Sequence, residues 1–225
     1  MPVAYIRKNS ANMETHPPVA ETSRFMQIAW IAIFAAFFIW SGIGPKDYPT
    51  WFVEVVPAVV GAGILWFTRQ SFPLTRLTYL LILFHCVILI VGGHYTYAEV
   101  PLFDWIRDTF GHDRNNYDKV GHFVQGFVPA IIAREITIRK GVFSTGGWRN
   151  FFIVSMCLGI SAFYELIEWA AALLSVEASE SFLGTQGYVW DTQSDMAFAM
   201  LGAILALLLL GRLHDRQLRS LCPRT

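Results

Sequence analysis

The chain has 225 residues, 54% hydrophobic and 15% aromatic, with only 15% Asp, Glu, Lys or Arg against about 25% in an average soluble protein. Its 17 basic and 17 acidic residues cancel, which gives no reason to expect nucleic acid or a strongly charged partner. No charge occurs between Arg24 and Lys46 or between Arg76 and Glu99, and each gap holds the roughly 20 apolar residues that cross a ~30 Å hydrocarbon layer, so a soluble enzyme, a disordered chain and a disulfide-stapled secreted domain are all excluded.

The fold class that follows is all-α: a polytopic integral membrane protein of about six transmembrane helices in a single membrane domain. Residues 1–24 form a polar segment, and the apolar stretch behind them is too long for a cleaved signal peptide, so it is expected to stay as an anchor. The predicted spans run about Phe25–Ile43, Trp51–Phe67, Leu77–Gly92, Asp118–Ile138, Asn150–Leu174 and Asp191–Leu210. The second contains Pro57 and is expected to be kinked or irregular. The last three carry ionisable residues and give weaker hydropathy signals, so four spans with buried half-helices is the competing arrangement. Residues 25–210 thus form the bundle, and the basic tail, residues 211–225, is expected to continue the last helix.

Lys and Arg counts set the orientation. With the N-terminus in the cytoplasm, thirteen basic residues lie in inner segments and four, Lys46, Arg107, Arg114 and Lys119, in outer ones. Both termini are therefore expected inside. The acids divide the other way, four inner and thirteen outer, so overall neutrality conceals a strong vertical polarity. Cys86 and Cys157 fall mid-span, where apolar packing explains them. Cys222 heads Cys-Pro-Arg-Thr, which lacks the aliphatic positions of a prenylation signal. No internal repeat of the kind many transporters carry is visible. Gly61-Ala62-Gly63 and Gly202-Ala203 are small-residue stretches of the kind that let spans pack closely.

Ionisable residues within spans call for a function or a partner. Asp118 and His122 are four apart, Asp191 and Asp195 four apart, and Glu165 and Glu168 three apart, spacings that put each pair on one helix face. In the expected topology all six fall at similar depth, in the outer leaflet or just above it. Gln125, Tyr164, Gln186 and Gln193 are the uncharged neighbours, and His94, Tyr95 and Tyr97 the expected rim. Two carboxylates one turn apart repel if both ionise. With no Lys or Arg near Glu165 and Glu168 in sequence, compensation falls to His122, Lys119 or a bound ion. Asp118 beside Lys119 has the plainer reading of an interface marker, and Asp191 that of a helix cap. His85 reads as a helix–helix hydrogen-bond donor, and Glu54 with Trp51 as an outer-interface pair needing no special role.

The motifs Tyr117-Asp118-Lys119-Val120-Gly121-His122-Phe123, Arg134-Glu135, Ser161-Ala162-Phe163-Tyr164-Glu165-Leu166-Ile167-Glu168-Trp169 and Gly184-Thr185-Gln186-Gly187-Tyr188-Val189-Trp190-Asp191-Thr192-Gln193-Ser194-Asp195-Met196 resemble the YjdF family of bacterial inner-membrane proteins, over essentially the whole chain. The Asp-Lys…His-Phe start, the span with Glu and the Asp-led last helix are more distantly similar to VanZ-type proteins, associated with glycopeptide resistance. The resemblance implies a multi-pass inner-membrane location and the span count, and transfers no activity. Tyr188 stands where relatives often carry an acid, so it is not counted in a required site.

Four readings follow. An outward-facing ligand site for a polar or lipid headgroup ligand would use Asp118, His122, Glu165, Glu168, Asp191, Asp195, Gln186 and Gln193. A membrane-embedded metal-dependent hydrolase would draw divalent-cation ligands from His122, Glu165, Glu168, Asp191 and Asp195, with Glu165 or Glu168 as general base. Against it stands the lack of a His-Glu-x-x-His or Glu-x-x-His sequence. A proton- or cation-coupled transporter and a structural protein with buried polar pairs complete the set. The sequence does not decide between enzyme and binding protein.

Overall fold

The computed structural model describes residues 24–174 and 186–221, and every regular element among them is helical. The N-terminal segment to Ser23, the residues 175–185 that carry Gly184 and Thr185, and the Cys222 terminus lie outside the described residues. The helices are α1 (Arg24–Ser41), α2 (Tyr48–Thr68), α3 (Arg76–Tyr95), α4 (Pro101–Phe110), α5 (Tyr117–Arg139), α6 (Gly146–Leu174) and α7 (Asp191–Leu221). α1, α2, α3, α6 and α7 are each long and apolar enough to cross a membrane. Among the described residues, α5, at 23 residues, is the sixth long helix, in keeping with a bundle of about six.

Each start has a local cause. Asp47 caps α2 by accepting from the Thr50 N–H at 2.8 Å, and Pro49 occupies the first turn, where its missing donor costs nothing. The helix continues past Pro57 to Thr68. Thr75 caps α3, which ends on Thr96 and Tyr97, both at positive φ. α4 is a ten-residue amphipathic helix with Leu102, Trp105 and Phe110 exposed. It is too short to cross and is shaped to lie along a membrane surface. α7 continues to Leu221 over 31 residues, a length of about 46 Å at 1.5 Å per residue, so the first part of the basic tail is helical as expected.

The burial pattern inverts that of a soluble protein. Glu135, His214, Asn115, Asp195 and Ser161 are almost fully buried, while Phe25, Phe67, Leu208 and Leu209 are exposed. Apolar side chains facing outward and polar ones inward is what lipid as solvent demands. α5 fits this scheme at the centre. It packs against α3, α6 and α7, and so can carry Asp118, Lys119, Arg134, Glu135 and Arg139 without exposing them to hydrocarbon. One apolar core joins α2, α3 and α5 around Val55, Ile90 and Val128, with Cys86. A second joins α5, α6 and α7 around Ile131, Ala203 and Ala206, with Cys157. Both cysteines are free and buried.

The closest approach is between α5 and α7. A Cβ on Gly126 would collide with the Ala199 carbonyl, and one on Gly202 with the Phe123 carbonyl. Gly202 is thus a packing glycine, as its sequence neighbourhood predicts. Gly61 and Gly63 are not, since a Cβ on either would meet nothing within 4 Å.

Candidate functional site

Carboxylates from four helices converge at one end of the bundle. α5 presents Asp118 and His122, α6 Glu165 and Glu168, α7 Asp191 and Asp195, and α2 adds Glu54. His122 stands at the centre. Its Nε2 lies 3.4 Å from Asp118 Oδ1 and 3.5 Å from Glu165 Oε1, and its Nδ1 lies 3.4 Å from Ser161 Oγ. Asp118, His122 and Asp195 bring one ligand-capable atom each to within 4.8 Å of one another. Glu54, Asp118, His122 and Glu168, with Tyr97, Gln125 and Tyr164, line a cavity of about 210 Å³.

Two cations enter the cluster. Arg114, in the connection before α5, is buried against the Asp191 carboxylate, with its Nη2 3.6 Å from Asp118 Oδ2. Lys119 donates to Ser194 Oγ at 2.6 Å and lies 3.5 Å from both Asp191 and Asp195. Asp191, at the first position of α7, is therefore held by side-chain cations. Among the described residues, His122 is the basic group that reaches Glu165, and six carboxylates thus face two permanent cations and one imidazole.

Two of the sequence candidates stay apart from this cluster. Gln186, at φ 47°, spends its amide on Asn115, accepting from its N–H at 3.0 Å and donating to its carbonyl at 2.9 Å. Asn115 in turn donates to the Val100 carbonyl and to Asp104, so Gln186 fastens the turn before α7 onto the α4–α5 connection. Gln193 is exposed, as its position two residues from both Asp191 and Asp195 requires. Of the expected rim, Tyr97 faces the cavity. His94 does not: its Nδ1 meets the Ser41 carbonyl at 2.9 Å, and its ring packs on Trp40.

Sequence reasoning missed two contributors. Arg114 precedes Asp118 by four residues, the same spacing that singled out the other pairs. Glu54 is only 5% exposed and faces the cavity; it is not the interface residue its place near the end of a span indicated. Its charge inside an apolar span was the available signal. The Tyr97 ring lies where a Cβ on Gly92 or Gly121 would stand, so the glycine before His122 makes room for a cavity aromatic.

The chain matches the family described as predicted membrane protein (DUF2238) over residues 26–216. It is also 50% identical over 182 residues to the inner membrane protein YjdF of Escherichia coli (strain K12), covering 80% of this chain and 87% of that protein. The chain belongs to the YjdF family. No solved structure matches it. The family match takes in α2, α5, α6 and α7 as far as Arg216, and so all the site carboxylates. Neither comparison attaches an activity to the family.

Proposed function

We propose that this YjdF-family protein resides in the bacterial inner membrane with both termini cytoplasmic, and that its outward-facing polar site binds a polar ligand such as a lipid headgroup. The thirteen-to-four division of basic residues supports the orientation. A periplasm-dependent reporter such as alkaline phosphatase, fused after Thr225, is then expected to be inactive. The same reporter inserted at Gly111, between α4 and α5, is expected to be active. The reverse pattern would overturn the orientation.

The observation that carries the ligand reading is the cavity, walled by Glu54, Asp118, His122 and Glu168 with the Tyr97 and Tyr164 phenols. Concave sites with a few convergent polar groups are where small ligands bind. The acid excess favours a headgroup rich in donors, an amine or hydroxyls, because acceptors alone would leave the carboxylates unmet. Native mass spectrometry of protein extracted with its own lipids tests this. Wild type is expected to retain a bound molecule that Glu54→Gln/Glu168→Gln loses; equal retention by the double variant would sink the reading.

A second reading, a membrane-embedded metal-dependent hydrolase, is favoured by the close grouping of Asp118, His122 and Asp195. A divalent ion held there would supply Lewis acidity. Glu165 or Glu168 would take the proton of an attacking water, and Tyr164 and Gln125 would orient the substrate. Turnover of an extracted envelope lipid by wild type and not by Glu168→Gln separates this reading from binding alone.

A further inference from the structure

We propose that Asp118, His122 and Asp195 form a binding site for one first-row divalent metal ion against the wall of the cavity. This deepens the site reading above and rests on it for location only, since metal can bind whether or not the cavity takes a ligand. Three observations carry it.

The first is spacing. Ligands about 2.1 Å from a common ion stand roughly 3.0–4.2 Å apart. His122 Nε2 lies 3.4 Å from Asp118 Oδ1 and 3.5 Å from Glu165 Oε1. The Asp118, His122 and Asp195 ligand atoms lie within 4.8 Å of one another, so small side-chain rotations bring all three into that range.

The second is an unmet demand. Glu165 and Asp195 are 8% and 2% exposed, and Glu165 Oε1 and Asp195 Oδ1 have no hydrogen-bond partner. A buried carboxylate oxygen is costly without one. One N–H at His122 Nε2 can serve only one of the two carboxylates beside it. Lys119 lies 3.5 Å from Asp195 Oδ1 and divides its three donors among Asp195, Asp191 at 3.5 Å and Ser194 at 2.6 Å. One ion bound by His122 would answer Asp118 and Asp195 together.

The third is the support behind the histidine. Metal-binding imidazoles are oriented by a partner on their other nitrogen, and Ser161 Oγ stands 3.4 Å from Nδ1. An imidazole with two carboxylates suits Zn²⁺ or Mn²⁺ better than Ca²⁺, which prefers an all-oxygen shell.

The test uses the full chain in nanodiscs, stripped with chelator and titrated with Mn²⁺ followed by electron paramagnetic resonance. Wild type is expected to remove about one equivalent of free Mn²⁺ signal, and excess Zn²⁺ to restore that signal by competition. Asp195→Asn and His122→Gln are each expected to weaken Mn²⁺ binding at least about tenfold. Glu54→Gln, which lines the cavity but is not one of the three ligands, is expected to keep Mn²⁺ binding, whatever it does to retained lipid. That separates failure of the metal site from failure of the ligand reading. Wild type that leaves the free signal unchanged overturns the proposal, even if the variants fail to fold. Asp195→Asn binding as tightly as wild type overturns it too, and assigns Asp195 to Lys119 alone.

Discussion

Glu135→Gln is expected to lower the stability of the folded bundle by about 3 kcal/mol, the lower end for breaking a buried charged pair, without touching the candidate site. Glu135 is fully buried at the opposite end of α5 from His122. It accepts from the Thr75 N–H and Oγ, both at 2.9 Å, from Thr78 Oγ at 2.7 Å, and from His214 Nε2 and Arg139 Nη1, both at 3.1 Å. An amide in its place would turn an NH₂ toward one set of these donors. His214 loses most, because its tautomer is fixed from both sides. Arg134 can only donate to its Nδ1, at 3.1 Å, so the ring proton must sit on Nε2 and point at Glu135. The network ties α5 to α3 and α7. Thermal unfolding of the solubilised protein should show a clear downward shift for Glu135→Gln, while Asp215→Asn, whose partner Arg134 is met at the half-exposed edge, should move it by no more than about 1 kcal/mol. Equal melting of Glu135→Gln and wild type would show the network to be ornamental.

That network illustrates what the sequence could and could not disclose. Spans were legible wherever a helix faces lipid. α1 and α3 stand out as gaps between charges, because exposure to hydrocarbon forbids charged residues there. α5 is enclosed by α3, α6 and α7, so nothing compels it to be apolar, and it gives a weak signal for the same reason that it carries the chemistry. The pairs Asp118/His122, Glu165/Glu168 and Asp191/Asp195 were legible because helical spacing is local. Their partners were harder to see, since Glu135 and His214 are 79 residues apart and Arg114 and Asp191 are 77 apart, and no periodicity links such distances. Arg114 was half-legible, four residues ahead of Asp118, though it lies before α5 begins. Gln186 and Gln193 show the opposite error. Nearness in sequence to Asp191 suggested a shared site, whereas the turn geometry commits the first to Asn115 and the helical angle sends the second outward. α4 went unread because ten amphipathic residues fall below any spanning length.

Gly126→Ala and Gly202→Ala are each expected to destabilise the protein by about 3 kcal/mol, the upper end of ordinary overpacking. At both positions the obstacle is backbone, the Ala199 carbonyl for Gly126 and the Phe123 carbonyl for Gly202. Backbone cannot swing aside as a side chain can, so α5 and α7 must separate. Gly61→Ala and Gly63→Ala make the same chemical change where a Cβ meets nothing. They are expected to be neutral, or stabilising by up to about 1 kcal/mol through helix propensity. The crossing also sets the site, because α5 carries Asp118 and His122 while α7 carries Asp195. Glycine at 126 lies one turn beyond His122, so a wedge there opens the cluster from below. Gly126→Ala is therefore expected to weaken Mn²⁺ binding along with stability, whereas Glu135→Gln, acting at the far end, should spare binding in whatever fraction stays folded. If Gly126→Ala melts and binds like wild type, close α5–α7 contact is not what holds the carboxylates in register with the histidine.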